Sequence, residues 1–89
     1  MASDDKQAFV ATVAAQHGGN VRRYLSAKLR HAVADVPDLV QEVFLRLLRV
    51  NHPETIRSPE AYLFTIARHV LQQHHARRGL GPEMVDIND

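Results

Sequence analysis

The sequence predicts an all-α fold, a compact bundle of four helices, on three observations. Apolar residues recur at helical spacing through 35–50 and again through 59–78, so each stretch winds one apolar stripe onto a helix. Breakers and caps divide the chain into helix-sized pieces: Gly18-Gly19, Pro37, the run Asn51, His52 and Pro53, and Ser58-Pro59. No stretch alternates polar and apolar residues between hairpin turns, and no internal repeat or low-complexity segment is present.

The first helix is expected through Gln7, Phe9, Val10, Val13 and Ala14, capped by Ser3 or Asp4. It should stop near His17, because Gly18-Gly19 supplies the positive φ that a helix C-terminus favours and Asn20 can cap the next helix. That second helix, 21–34, turns Val21, Tyr24, Leu25, Leu29 and Ala32 or Val33 inward. Arg22, Arg23, Lys28 and Arg30 stay in water, either as a solvated face or as phosphate contacts.

The third helix, 35–50, carries the strongest amphipathic pattern. Proline at position 37 suits only the first turn of a helix, and Asp35 can accept hydrogen bonds from the free N–H groups there. Leu39, Val40, Val43, Phe44, Leu47 and Leu48 form the inward stripe, opposite Asp38, Gln41, Glu42, Arg46 and Arg49. Leu45 breaks the pattern: at a 100° step per residue it projects roughly 150° from the stripe centre, in the middle of the polar face. Core burial does not account for it. The helix stops at Asn51, and the polar loop 51–57 has Ile56 as its anchor to the core.

Ser58 as N-cap, Pro59 at the first helical position and Glu60 beside the positive end of the dipole start the fourth helix, 59–78. Tyr62, Leu63, Ile66, Ala67, Val70 and Leu71 face inward. Phe64, Arg68, Gln72 and His75 succeed one another along another face, an aromatic, a cation, an amide and an imidazole on one ridge. Such a ridge suits stacked bases and phosphates. Gly79 and Gly81-Pro82 end the helix, so 1–78 reads as the helical domain and 79–89 as a linker or tail.

Composition narrows the function. At 89 residues the chain has room for one modest core, which favours a binding role over an elaborate catalytic cleft. There is no cysteine, no signal-peptide layout at the N-terminus and no apolar run near the ~18 residues that span a bilayer, so a cytoplasmic protein not inserted in a membrane is expected. The serines Ser3, Ser26 and Ser58 lack a nucleophile-elbow context, no glycine-rich phosphate loop occurs, and Asp38 and Glu42 lie on an open helix face; an enzyme is not expected. His69, His74 and His75 cluster in sequence, yet His69 and His74 stand about 140° apart on a helix and His74 and His75 about 100°, which does not converge on a metal. No cofactor or metal is expected.

The segments Asp-Leu-Val-Gln-Glu-Val-Phe-Leu-Arg at 38–46 and Tyr-Leu-x-x-Ile-Ala-Arg at 62–68, the latter continuing to Arg77-Arg78, resemble region 2 of the extracytoplasmic-function sigma factors of bacteria. The resemblance runs from about Ala8 to Arg78, and Ile-Arg-x-Pro-x-x-Tyr-Leu at 56–63 is similar to the iron-starvation branch. It implies that Asp38, Gln41, Glu42, Leu45, Arg46 and Arg49 dock on the clamp helices of the RNA polymerase β′ subunit, which gives exposed Leu45 a reason. It also implies that the loop and the fourth helix recognise the promoter minus-ten element as a single non-template strand. Asn51, His52 and Arg57 are then placed for a base pocket, Phe64, Arg68, Gln72 and His75 along the strand, and Arg77 and Arg78 at phosphates, unless those two arginines only compensate the helix dipole. An anti-sigma regulator, membrane-anchored in that branch, is a further implied partner. Where the family often has tryptophan, asparagine and aspartate, this chain has Tyr62, His69 and Gln73, so no promoter sequence can be inferred. A second, minus-thirty-five-reading domain is expected elsewhere in a longer factor, with 81–89 opening the interdomain linker. The competing reading is a helical protein-interaction adaptor that touches no DNA.

Overall fold

A computed structural model describes residues 2–52 and 55–78, the side chains of residues 2–4 excepted. The described residues form three α-helices and no strand: α1 (Ala2–Lys28), α2 (Val36–Leu48) and α3 (Pro59–Arg77), with a single 3-10 turn, Val33–Asp35, leading into α2. The all-helical class holds, and the expected count of four is corrected to three.

The correction lies at Gly18-Gly19, which does not end a helix. Val10 and Val21 are eleven residues apart, three helical turns plus about 20°, so one stripe runs through the pair without losing phase. Val10, Val13, Val21, Leu25 and Leu29 are all buried along it. Burial of five side chains outweighs two glycines, each costing about 1 kcal/mol relative to alanine. Gly18 also faces α2: a Cβ built there would lie 4.0 Å from Phe44 Cζ. The 27 residues of α1 measure about 40 Å at 1.5 Å each, matching the molecule's long dimension of 42 Å. The first helix begins at Ala2, so Ser3 and Asp4 stand inside its first turn, and any cap by their side chains lies outside the described residues.

The second break is real. Leu29 donates its N–H to the Leu25 carbonyl, Ala32 to Leu29 and Asp35 to Ala32, a tightening chain that turns the backbone into α2. Pro37 falls in the first turn, as expected, but Asp35 makes no side-chain cap; its carboxylate is used elsewhere. Val33, one of two candidates for burial, is exposed. α2 ends at Leu48, two residues before the expected limit, with Arg49 and Val50 donating to Arg46 and Leu47 carbonyls. Both the N–H and the hydroxyl of Thr55 donate to the His52 carbonyl, at 3.0 and 2.7 Å, tying the sides of the next loop together, and Ile56 packs on the core as expected. At α3 the Ser58 hydroxyl accepts from the Ala61 N–H at 3.3 Å, the cap that the sequence announces.

One core joins the three helices. α1 brings Val13, Val21 and Leu25, the turn after it Leu29, α2 brings Leu39, Val43 and Leu47, and α3 brings Leu63, Val70 and Leu71, with Phe9, Phe44 and Leu48 partly covered around them. α2 and α3 run antiparallel, since Arg46 meets Gln73 while Asp35, eleven residues earlier, meets Arg78. The stop signals at Gly79 and Gly81-Pro82 lie outside the described residues.

Candidate functional site

On α2 the polar face is built as the periodicity requires. Asp38, Gln41 and Arg49 are exposed, Glu42 and Arg46 half-buried, and Leu45 is 40% exposed among them while every other leucine of the helix turns inward or to its flank. An isolated exposed leucine is unremarkable; this one is centred in the polar face of a helix whose opposite side packs on the core.

Arg46 is less available than its position suggests. Its Nε donates to Glu42 Oε2 at 2.8 Å, one turn back, and its Nη2 donates to Gln73 Oε1 on α3 at 2.5 Å. The guanidinium therefore ties α2 to α3. The same Glu42 hydrogen bond holds that carboxyl below the ordinary carboxylate range, against an opposing desolvation effect and with help from the positive charges of Arg46, Arg49 and Arg77.

On α3 the expected ridge is not one exposed row. Phe64 is half-buried, and its ring meets Tyr24 of α1 edge-on, with centroids 5.4 Å apart and planes at 89°. Lys28 lies over the Tyr24 ring, 5.7 Å from its centroid. Arg68 is half-buried and Gln72 exposed. His75 is corrected: it is only 7% exposed, so it does not belong to a surface that a strand could track. The buried arc of α3 widens at this end, where His74 is covered as well and the two rings stand 5.9 Å apart. Burial pushes the His75 pKa down, and the adjacent His74 adds to the effect. His75 Nδ1 has no hydrogen-bond partner among the described residues.

Two other residues replace His75 on the outer face. His69 is exposed, and Tyr62, expected in the core, is 36% exposed. Periodicity contains the signal for both, since Tyr62 and His69 are seven residues apart and lie within about 20° of each other. The outer face of α3 thus runs Tyr62, Thr65, Arg68, His69 and Gln72. Among the loop residues, Asn51, His52 and Arg57 are exposed, and Pro53 and Glu54 lie outside the described residues.

The two terminal arginines are exposed. Arg78 Nη1 donates to Asp35 Oδ2 at 3.3 Å, and His74 Nε2 lies 3.3 Å from the same oxygen without the alignment of a hydrogen bond. Here the Asp35 carboxylate anchors the end of α3 instead of capping α2. Among the described residues no group of three or more histidines or carboxylates is disposed to hold a metal ion.

Comparison with known proteins identifies the family. Sigma-70 region 2 matches residues 13–80, which is most of the chain. The ferric citrate uptake sigma factor FecI of Escherichia coli (strain K12) is 36% identical over 64 residues, covering 72% of this chain and 36% of that protein. The chain thus spans little more than a third of that relative's length. No solved structure matches. Both matches are to sigma factors, which are not enzymes, and they bear out the resemblance to the extracytoplasmic-function group read from 38–46 and 62–68. With its all-helical core and a match of that extent, the chain belongs to the sigma-70 region 2 family.

Proposed function

We propose that this chain is the promoter-recognition domain of a bacterial sigma factor. It docks through α2 on core RNA polymerase, at the β′ clamp helices, and holds the opened minus-ten element as a single strand along the 51–57 loop and the outer face of α3. The carrying observation is Leu45, 40% exposed between Gln41 and Arg49 on a helix whose other side buries Leu39, Val43 and Leu47 in the core. An apolar knob inside a polar ring gives a partner helix something to desolvate and charges to set its register.

The strand side is supported by different chemistry. Tyr62 offers a ring for stacking, Arg68 a cation, and His69 and Gln72 hydrogen-bonding groups, spread over the outer face of one helix next to a polar loop. Melting costs a few kcal/mol for each unstacked base, so a domain of this kind has to recover that energy by capturing the strand. No helix among the described residues is long and apolar enough to cross a membrane, which suits action in the cytoplasm beside polymerase and DNA. The relative named for ferric citrate uptake and the Ile-Arg-x-Pro-x-x-Tyr-Leu segment support a place in the iron-starvation branch, under an anti-sigma regulator.

Two measurements test this. Fluorescence anisotropy with minus-ten single strands should give binding that weakens with salt and weakens further in Arg68→Ala. No binding to any single strand, even in low salt, would leave the adaptor reading in its place. Pull-down of core polymerase should be lost in Leu45→Asp with the helical circular dichroism spectrum unchanged; if that variant unfolds, Leu45 belongs to the core and the docking face is misassigned.

A further inference from the structure

Antiparallel packing of α2 and α3 sets two pairs of residues against each other across the helix boundary. Glu42 and Arg46 are one turn apart on α2, and Gln73 and Arg77 one turn apart on α3. Arg46 donates to Gln73 at 2.5 Å, which fixes that side of α3 as the side facing α2. Arg77 lies one turn further along α3 and Glu42 one turn back along α2, so antiparallel packing carries Arg77 toward Glu42, whose carboxyl its charge helps to hold low. Around the α3 axis Arg77 stands about 180° from Arg68, about 140° from Gln72 and about 80° from His69. The cation of the strand surface, Arg68, is thus on the far side of the helix from it.

We infer that Arg77 is a residue of the α2 docking face and meets the protein partner, not a DNA phosphate. This extends the proposed docking reading and rests on it. The charge pattern of the face then changes. The Arg46 guanidinium is engaged by Glu42 and Gln73, which leaves, among the described residues of the two helices, exposed Arg49 on the α2 face and exposed Arg77 on the side of α3 that faces α2. A partner surface that fits carries an apolar pocket for Leu45 with carboxylates to both sides of it, and it spans both helices. Arg77, on α3, gives that partner a second charge contact that α2 alone does not provide.

The experiment crosses two variants with two partners, using the whole chain. Arg77→Gln should weaken capture by purified core RNA polymerase by roughly three- to ten-fold, with the deficit shrinking at high salt, as for a charge at an interface rim. Its affinity for a minus-ten single strand should stay within about two-fold, with the salt dependence unchanged, whereas losing a phosphate contact lowers the log–log salt slope by about 0.7. Arg68→Gln should do the reverse. Arg77→Lys keeps the charge and should restore docking, and the thermal midpoint of Arg77→Gln should match the parent, since a residue serving only the fold would shift it. The inference is overturned if Arg77→Gln docks like the parent, if it loses single-strand affinity and salt slope, or if both partners weaken along with the melting temperature. A parent chain that captures no polymerase would sink the docking reading itself, a result separable from a parent that docks and an Arg77→Gln variant that docks equally well.

Discussion

Replacing Gly18 by alanine should stabilise the protein, and the size of the gain is set by where that glycine sits. Both Gly18 and Gly19 have helical backbone within α1, so neither uses the conformational freedom that glycine brings. Alanine in place of glycine in a helix interior is worth about 1 kcal/mol, chiefly because the unfolded chain has fewer states to lose. Space does not oppose the change: the added Cβ of Gly18→Ala meets Phe44 Cζ at 4.0 Å, an ordinary van der Waals contact, and that of Gly19→Ala meets Arg23 Nη1 at 3.8 Å, the end of a flexible side chain. For a domain of this size 1 kcal/mol corresponds to about 4–8 °C in Tm, so each single variant should melt several degrees higher and the double variant by about twice as much. Thermal and urea unfolding monitored by far-UV circular dichroism would measure both shifts, with the urea slope unchanged. A fall in Tm of several degrees in both single variants would mean that the pair has positive φ and ends a helix near His17, which would refute the continuous α1.

Leu63 is fully buried where α3 meets the other helices, and Leu63→Ala should cost about 2–5 kcal/mol, a large share of the stability of a small domain, read as a lowered urea midpoint. Ser58→Ala removes the acceptor of the Ala61 N–H and should cost about 1 kcal/mol, with Ser58→Asp restoring it. Acid sensitivity should trace in part to His75. Its folded pKa lies below the unfolded value of about 6.5 because burial disfavours the imidazolium, so the unfolded chain takes the proton first. The stability it contributes is complete above that value and is lost as pH falls from there through the folded pKa. Next to it stand His74, and through His74 the Asp35 carboxylate and Arg78. His75→Leu should flatten the pH dependence of the urea midpoint below about pH 6.5 without loss of stability at pH 7, since it also removes a buried nitrogen that has no partner among the described residues.

Much of the fold is legible in the chain because its signals are local. Ser58-Pro59-Glu60 announces the start of α3, and Pro37 the first turn of α2. The stripe Leu39, Val43, Leu47 fixes which side of α2 is buried, and with it the exposure of Leu45. The misplaced break at Gly18-Gly19 comes from weighing a local preference alone. Two glycines cost about 2 kcal/mol together, less than the burial of Val21, Leu25 and Leu29 in phase with Val10 returns.

The site is legible to the extent that helical phase decides it. Phase gives each residue an angle, and that angle places Gln41, Leu45 and Arg49 outward and puts Tyr62 and His69 on a common face. It does not give the width of the buried arc, which depends on what packs against each turn. Near the start of α3 the arc is narrow enough to leave Tyr62 at 36% exposure, and at its end it is wide enough to cover both His74 and His75. The partners of charged side chains are equally beyond the sequence. Only the packing of three helices brings Gln73 to Arg46 and Asp35 to Arg78, because those contacts join residues that are distant in the chain and adjacent across an antiparallel boundary. The sequence by itself determined the all-helical class, the starts of α2 and α3, the buried stripe of α2 and the exposed Leu45, all set within a few turns of backbone; the tertiary structure decided that one helix runs through Gly18-Gly19, which flanking residues are covered and which charges are already engaged, because these depend on neighbours that local pattern does not specify.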